Sequence, residues 1–416
     1  MKIATICEVL DISFDLQWRA LGECIQRMGW RMSVRTQIGF EGIRSFLESL
    51  FEGDVHAMRV YSMANATMGV LSSASLAVHV IGQGLAHSRG LITKHAVKQV
   101  DRLLSNRRIK VWEYFAYWVP YVIGPRREVM LALDWTEFDH DNHATLVLSM
   151  VTRHGRATPL MWKSVLKSTL KGHRNEYEDQ LLLRLKEVVP DGVKVTVLAD
   201  RGFGDQKLFE FLHHDLGFEF IIRIRGNITV TSEKGESKRA EEWIGKGGRA
   251  KLLRDARVTL DEYAVPTVVC VHAKGVKEPW CLVASDPQIK ASAVTKTYAK
   301  RWTIEPGFRD AKDPRFGMGM SQTRIGSTQR RDRLFLISAF ATALLTLLGA
   351  AGESLGYDRM LKSNTVKTRV HSLFRQGCMW YELIANMPEE RLHALMQRYG
   401  EMLHEQREFK ELFGVI

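Results

Sequence analysis

The chain has 416 residues and a formal net charge of +12, and 45% of its residues are hydrophobic. This length predicts two or three domains with packed cores, and the charge favours a polyanionic partner. The five cysteines are scattered and none forms a C-x2-C pair, so neither a zinc site nor a disulfide framework is predicted and a reducing cytoplasm is expected.

The first region, residues 1–127, is predicted to be helical. Amphipathic stretches occur at Leu16–Met28 and Phe40–Phe51. Glu8 and Asp11 interrupt the apolar residues near the N-terminus, which argues against a signal peptide.

A helix-turn-helix-like segment is predicted within residues 75–106. Residues 75–77 open a short helix, Gly90 marks a turn, and Thr93 is expected to cap a second helix. The second helix carries basic residues suited to DNA contact, namely Lys94, Lys98 and Arg102. The alternative is an ordinary helical hairpin at the surface.

Two short apolar runs each lead into an aspartate. Val129–Leu133 precedes Asp134, and Val195–Ala199 precedes Asp200. Both runs are rich in β-forming residues, so both are predicted to be buried strands that end at the acid. An acid at the end of a buried strand lies at the rim of a sheet, where active sites are commonly built.

The elements around these strands predict a mixed α/β fold. Three strands in a meander are followed by helix, strand, helix and strand, which is the order of a ribonuclease-H-like sheet flanked by helices. The remaining elements are predicted at Thr145–Thr152, Ala157–Val165, Glu176–Val188, Gln206–Leu216 and Phe218–Arg225, with a turn at residues 153–155.

A β-rich insertion is predicted at residues 227–290. Its β-type segments are Ile228–Thr231, Arg257–Leu260, Val265–His272 and Trp280–Val283. The later apolar run Leu334–Ala351 barely reaches membrane-spanning length and contains hydroxyl residues, so a buried helix is predicted there. The tail from Leu361 is helical and amphipathic in places, and either dimerises or completes the core.

The stretch at residues 298–312 concentrates the chemistry. Tyr298, Arg301, Glu305 and Lys312 stand in the spacing Y-x2-R-x3-E-x6-K. On one continuous helix, all four would lie near one face. Pro306 fits only a first helical turn, so the helix is expected to begin near Thr303 or Ile304.

Three acids can hold two divalent cations for an in-line phosphoryl displacement. Asp134, Asp200 and Glu305 are the candidates, with basic groups beside them for the polyanion. A polar turn is favoured over an independent metal site at the ligand-rich segment that contains Asp139, His140, Asp141 and His143.

Three segments together resemble a known family. Leu133–Thr136, the D-x-G-F sequence at Asp200–Phe203 and the Y-x2-R-x3-E-x6-K spacing resemble the DDE transposases of bacterial insertion-sequence family four, which includes the transposases of transposons ten and five. The resemblance extends from about Ser75 to about Gly349. It implies a cut-and-paste transposase that cleaves DNA ends through a hairpin intermediate and joins them to a target.

The resemblance also implies roles for single residues. Asp134, Asp200 and Glu305 would be catalytic and would bind two Mg²⁺ ions, with Mn²⁺ as a substitute. The expected DNA or phosphate contacts are Tyr298, Arg301, Lys312, Trp280, Lys94, Lys98 and Arg102. Trp280 would stack on a flipped base, and the alternative is a core residue of its strand.

The resemblance finally implies partners and organisation. The partners would be the terminal inverted repeats and target DNA, and the chain would act as a homodimer in a paired-end complex in the bacterial cytoplasm, associated with the nucleoid when bound to DNA. The implied regions are residues 1–127, 128–226, 227–290, 291–350 and 351–416. The alternatives are a nuclease of the same fold that cuts without joining, and a DNA-binding protein without catalysis.

Overall fold

The structure is a computed structural model that describes residues 38–152 and 154–404. The predicted helix at Leu16–Met28 and position 153 of the predicted turn lie outside the described residues. Ten strands form a single sheet in the order β3-β2-β1-β4-β5-β10-β9-β8-β6-β7. The strands are β1 (Glu128–Phe138), β2 (His143–Met150), β3 (Thr158–Leu166), β4 (Lys194–Ala199), β5 (Glu219–Ile224), β6 (Thr229–Thr231), β7 (Ser237–Arg239), β8 (Lys251–Val258), β9 (Tyr263–Val271) and β10 (Trp280–Ala284).

Helices precede, interrupt and follow the strands. Within the described residues, five of them lie before β1. The helices of the described residues are α1 (Phe40–Phe51), α2 (Ala57–Ser73), α3 (Val78–Arg89), α4 (Thr93–Ser105), α5 (Val111–Ile123), α6 (Arg174–Val188), α7 (Gln206–Glu210), α8 (Ala291–Ala299), α9 (Ile304–Lys312), α10 (Thr328–Ser354), α11 (Leu373–Leu383) and α12 (Glu389–His404).

The first five strands have the predicted mixed arrangement. Strands β1, β2 and β3 form an antiparallel meander, while β4 is parallel to both β1 and β5. This arrangement is consistent with the predicted ribonuclease-H-like fold. Strand β10 then pairs antiparallel with β5, so the strands predicted for the insertion continue the same sheet. The division of the chain into five regions stays a prediction.

Strand β1 is longer than predicted. It does not end at Asp134 but continues to Phe138, because Trp135 to Phe138 pair with residues of β2. The parallel partner β4 does stop where predicted, at Ala199. Asp134 is therefore still paired with a residue of β2, whereas the pairing of β1 with β4 ends one residue before it.

Other boundaries differ for local reasons. The predicted helix Gln206–Leu216 is an α-helix only to Glu210 and then forms a wider π turn. Strand β8 begins at Lys251, several residues before its predicted start, and the exposed strand β7 was not predicted. Thr93 is the first residue of α4, and Ile92 occupies the capping position that was expected for Thr93.

The two faces of the sheet contact different layers. On one face, Ala132 and Leu198 pack with Val294 of α8 and Ile304 of α9 in a small core. On the other face, alternate residues such as Leu131 join the main core, which includes the leucines of α6. Helices α8 and α9 therefore cover the face on which the even-numbered residues of β1 lie, and that face includes Asp134.

Helix α10 is buried, as predicted. Within the described residues it is the single helix that is long and apolar enough to cross a membrane, and 94% of its most apolar stretch is buried inside the fold. It packs against α11, where Gly349 and Gly377 allow the two backbones to approach each other closely.

The contact between α10 and α11 gives the first prediction. A Cβ at Gly377 would overlap the carbonyl oxygen of Leu345 on α10, so Gly377→Ala should lower the free energy of unfolding by about 1–3 kcal/mol. Gly326→Ala is the control, because a Cβ there meets open space. Urea denaturation measures both variants, and equal stability of the two would contradict this packing.

Candidate active site

Strand register places the two aspartates side by side. The parallel pairing of β1 with β4 ends at Leu133 and Ala199, so Asp134 and Asp200 are the next residues on neighbouring strands. Neighbouring strands lie about 5 Å apart. Ala132 and Leu198, two residues earlier, share the small core, so the two aspartates also share that face.

Local hydrogen bonds orient each carboxylate. Asp134 Oδ1 accepts from the amide nitrogen of Trp135 at 2.8 Å, and Asp200 Oδ1 accepts from the amide nitrogen of Gly202 at 2.7 Å. A Cβ at Gly202 would lie 2.9 Å from Asp200 Oδ1. The glycine of the D-x-G-F sequence therefore leaves room for the carboxylate that caps this turn.

The glutamate enters from the facing helix. Helix α8 ends at Ala299, a 3-10 turn spans Lys300–Thr303, and α9 begins at Ile304, as the proline had predicted. Glu305 is thus in the first turn of α9, and its side chain is 60% exposed. The carbonyl of Thr303 accepts a hydrogen bond from the amide of Ala157, which ties this turn to the segment before β3.

Arg301 connects the acids of two different elements. Its Nη1 lies 3.2 Å from Asp134 Oδ2, and its Nη2 lies 3.4 Å from Glu305 Oε1. The guanidinium is buried, with 8% of its side chain exposed. One buried cation therefore lies between the first and third members of the predicted triad, and Asp200 lies beside the first.

The electrostatics of the site favour an added positive charge. Burial is the largest cause that raises the pKa of Asp134 to about 6; Arg301 opposes the rise, and the nearby Asp200 and Glu305 add to it. The negative charge of such a carboxyl is not fully balanced by its surroundings, because burial removes the water that would stabilise the charged form.

Carboxylate oxygens are suitable ligands for hard divalent cations such as Mg²⁺. As the described residues stand, no three His, Cys, Asp or Glu side chains converge closely enough to hold one ion. Arg301 occupies the space between Asp134 and Glu305, which accounts for this separation. The donor set fits divalent cations, provided that Arg301 gives up its contacts with the carboxylates.

Tyr298 and Trp280 lie together under the site and are buried. Tyr298 is 1% exposed and Trp280 is 7% exposed, and their rings meet edge to face with centroids 5.1 Å apart. Burial raises the pKa of the Tyr298 hydroxyl. The stacking role of Trp280 stays a prediction, and it requires a ring face that the packing in this structure covers. The neighbouring Trp302 is 49% exposed.

Lys312 contacts the extension of β1. Its Nζ donates to Thr136 Oγ1 at 3.0 Å and to the carbonyl of Glu137 at 2.7 Å. Tyr298, on α8, and Lys312, at the end of α9, do not share one helix, since the helix is broken between them. The single-face geometry applied to one continuous helix, so it weakens on the N-terminal side, as the position of Pro306 had indicated, although Arg301 and Glu305 do meet.

The ligand-rich segment after β1 has a structural role. The buried Arg331 of α10 pairs with Asp141 and donates to His143 Nδ1 at 3.1 Å. Asp141 also accepts from the amide of Ile325. These contacts fasten α10 to the turn before β2.

Arg223 lies beside the candidate site, although the sequence predicted only that its strand face meets either DNA or solvent. Continuing the parallel register places it next to Asp200 on β5. Its Nη2 and the Nη1 of Arg201 both contact Glu278 Oε2, at 2.9 Å and 2.7 Å. The position of Arg223 along its strand indicates this proximity, because Asp200 and Arg223 each lie one residue past the last pair of β4 and β5.

The predicted DNA-binding residues of α4 form a separate surface. Lys94, Lys98 and Arg102 are all exposed, and none has an ion-pair partner among the described residues. They do not contact the acids. Their roles in DNA binding, like those of Tyr298 and Lys312, stay predictions.

Comparison with known proteins agrees with this geometry. Residues 128–343 match the family model described as Transposase DDE domain, which covers more than half of the chain. The matched segment includes Asp134, Asp200 and Glu305. No curated protein matches the chain.

Burial of Asp134 predicts a pH-dependent effect on stability. The pKa of Asp134 rises from 3.8 to about 6 on folding, so the protonated carboxyl favours the folded state. This contribution to the free energy of unfolding is fully present below about pH 4 and is lost as the pH rises through 6. D134N keeps the group neutral. Its free energy of unfolding in EDTA should exceed that of the unmodified protein by about 1–3 kcal/mol at pH 8, and the gain should fall by roughly half at pH 5.

Urea denaturation at the two pH values measures this gain. The exposed Asp191→Asn serves as the control and should show no such pH-dependent difference. A D134N variant that is less stable than the unmodified protein at pH 8 would show that the Asp134 carboxylate is well compensated in the fold.

Proposed function

Because the chain belongs to the family of transposase DDE domains, we propose that it is a metal-dependent cut-and-paste DNA transposase. The observation that carries the proposal is the contact of Arg301 with both Asp134 and Glu305, beside Asp200. The contact links two acids that are widely separated in the sequence, and the third lies beside the first, on the face of the sheet covered by α8 and α9.

Asp134, Asp200 and Glu305 would hold the divalent cations that DDE transposase domains require. We assign them two Mg²⁺ ions, which Mn²⁺ could replace. When bound, such cations activate the attacking oxygen and stabilise the leaving oxygen of an in-line displacement at phosphorus.

Arg301 would also bind the scissile phosphate. A guanidinium that contacts two carboxylates can exchange them for a phosphate group, whose oxygens suit the same planar donors. DNA binding would therefore draw Arg301 toward the scissile phosphate and leave the acids free to bind cations. Lys312 would hold the neighbouring backbone from its place beside Thr136.

The reaction follows from these roles. Water attacks the phosphorus at the end of the element, the bond to the 3′ oxygen breaks, and a 3′-hydroxyl is released. That hydroxyl attacks the phosphorus of the opposite strand and displaces the 3′ oxygen of the flanking DNA, which forms a hairpin. Water then cleaves the hairpin phosphodiester and restores the 3′-hydroxyl, which attacks a phosphorus of the target DNA and displaces a 3′ oxygen of the target. A homodimer that pairs two ends, in the bacterial cytoplasm and near the nucleoid, completes the proposal.

A cleavage and joining assay tests this function. Glu305→Gln should lower nicking of a labelled duplex that carries the element's terminal inverted repeat by at least about a hundredfold, because the carboxylate that completes the acid triad is lost. Binding of the duplex should persist. Glu233→Gln, in the exposed turn between β6 and β7, is the matched control and should cleave normally.

The assay also separates the alternatives. Mg²⁺-dependent nicking, hairpin and joined product from the unmodified protein, with none in EDTA, support the transposase. Cutting without joining would instead identify a nuclease of the same fold. Binding without any cutting would identify a DNA-binding protein that lacks catalysis.

A further inference from the structure

A cleft of about 650 Å³ opens between the end of α4, the start of α5 and the start of α10. Trp112 of α5 and Trp162 of β3 form part of its wall. Four cationic side chains line it: Arg107, Lys110, Arg330 and Arg333. None of these residues belongs to the acid site or to the Y-x2-R-x3-E-x6-K spacing.

Arg333 is buried and has an unused donor. It is 7% exposed, and its Nε and Nη1 donate to the backbone carbonyls of Ile109 and Leu104, both at 2.9 Å. Within the described part of the chain, no acceptor receives a hydrogen bond from its Nη2. A guanidinium fixed at two nitrogens thus keeps its third nitrogen for a ligand in the cleft.

The other cations differ in how firmly they are held. Arg330 is fastened to α4 by Asp101 Oδ1 at 2.7 Å and by Ser105. Arg107 is exposed and has no partner among residues 38–152 and 154–404, and Lys110 contacts only the exposed Glu113. The cleft therefore combines a fixed donor in its wall with exposed cations at its rim.

The carboxyl in the lining opposes this positive charge weakly. Asp332 accepts a hydrogen bond from the amide of Ser164 at 2.9 Å, and burial raises its pKa to about 7. Its charge is therefore incomplete near neutral pH. Asp101 and Glu113 pair with Arg330 and Lys110, so Arg107 and Arg333 carry the positive charge of the cleft that no ion pair among the described residues offsets.

The cleft is continuous with the basic face of α4. Lys94, Lys98 and Arg102 follow one another at intervals of four residues, and Ser105, on the next turn, lines the cleft. These exposed cations and the cleft form one positive track.

The cleft also shares a sheet face with the acids. Asp134 pairs with Val147, and Val147 pairs with Trp162, so all three point to one face of the sheet. At about 5 Å per strand, the Cα atoms of Asp134 and Trp162 are roughly 10 Å apart. Successive phosphates of one DNA strand advance about 3.4 Å along the helix axis, so this separation spans only a few nucleotides.

We infer that the cleft is a second DNA contact, which binds backbone phosphates of a duplex whose neighbouring segment lies at the acids. This inference rests on the proposed function. Planar guanidinium groups recognise phosphate oxygens through paired donors, and Lys110 adds a point charge. Contact with phosphates fixes the register of a duplex without reading its sequence.

The test removes the two rim cations. Arg107→Gln combined with Lys110→Gln takes away two exposed charges and leaves the buried Arg333 in place. Its matched control, Lys186→Gln with Lys194→Gln, removes two exposed charges from the end of α6 and the start of β4, far along that strand from Asp200. Thermal melting checks that both proteins fold.

The measurement is the Kd for a fluorescent duplex between about 50 and 200 mM salt. Two duplexes of equal length are compared, one with the element's terminal repeat and one of unrelated sequence. In the Arg107/Lys110 variant, Kd should rise about tenfold, and the slope of log K against log salt should become shallower by roughly two. The control should keep the unmodified slope and the unmodified rate of nicking.

The outcomes test the DNA contact at the cleft separately from the proposed function. A weaker Kd for the terminal-repeat duplex alone assigns the cleft to the element's end, and an equal loss for both duplexes assigns it to any backbone, target included. An unchanged Kd and slope, with normal binding by the unmodified protein, overturns the inference and leaves the proposed function standing. Failure of the unmodified protein to bind or cut either duplex overturns the proposed function itself.

Discussion

A single buried guanidinium organises the candidate active site. Arg301 lies between a carboxylate of the sheet and a carboxylate of the helix that covers it. Three acids gathered in a partly buried place repel one another, and burial together with this repulsion raises the pKa of Asp134 to about 6 despite the nearby Arg301. The positive charge of Arg301 makes this gathering possible, and in the proposed mechanism that charge is exchanged for cations and DNA phosphate.

The fold supplies the positions that this interaction needs. The end of parallel pairing between β1 and β4 sets Asp134 beside Asp200, while antiparallel pairing with β2 keeps β1 rigid beyond the acid. The break between α8 and α9 lets Arg301 and Glu305 approach the sheet together. Lys312 then joins the end of α9 to the same strand, so one strand and one helix are fixed at both ends of the site.

Much of this arrangement could be predicted from the sequence, because the relevant signals are local. Apolar β-rich runs before Asp134 and Asp200 revealed two strands, and Pro306 correctly placed the start of α9. The extension of β1 to Phe138 could not be read, since its polar residues are held by pairing with β2. The burial of Trp280 against Tyr298 and the cleft beside Arg333 both depend on contacts between distant segments, which spacing along the chain does not encode.

In the proposed mechanism, Arg301 competes with divalent cations for the carboxylates of Asp134 and Glu305. The most direct test is to measure the affinity for Mn²⁺ by electron paramagnetic resonance in the absence of DNA. The proteins compared are the unmodified protein, Arg301→Gln and the charge-preserving Arg301→Lys. The account predicts that Arg301→Gln binds Mn²⁺ at least about tenfold more tightly, because a nearby positive charge is removed, and that Arg301→Lys stays close to the unmodified protein. Unchanged or weaker Mn²⁺ binding by Arg301→Gln would contradict it.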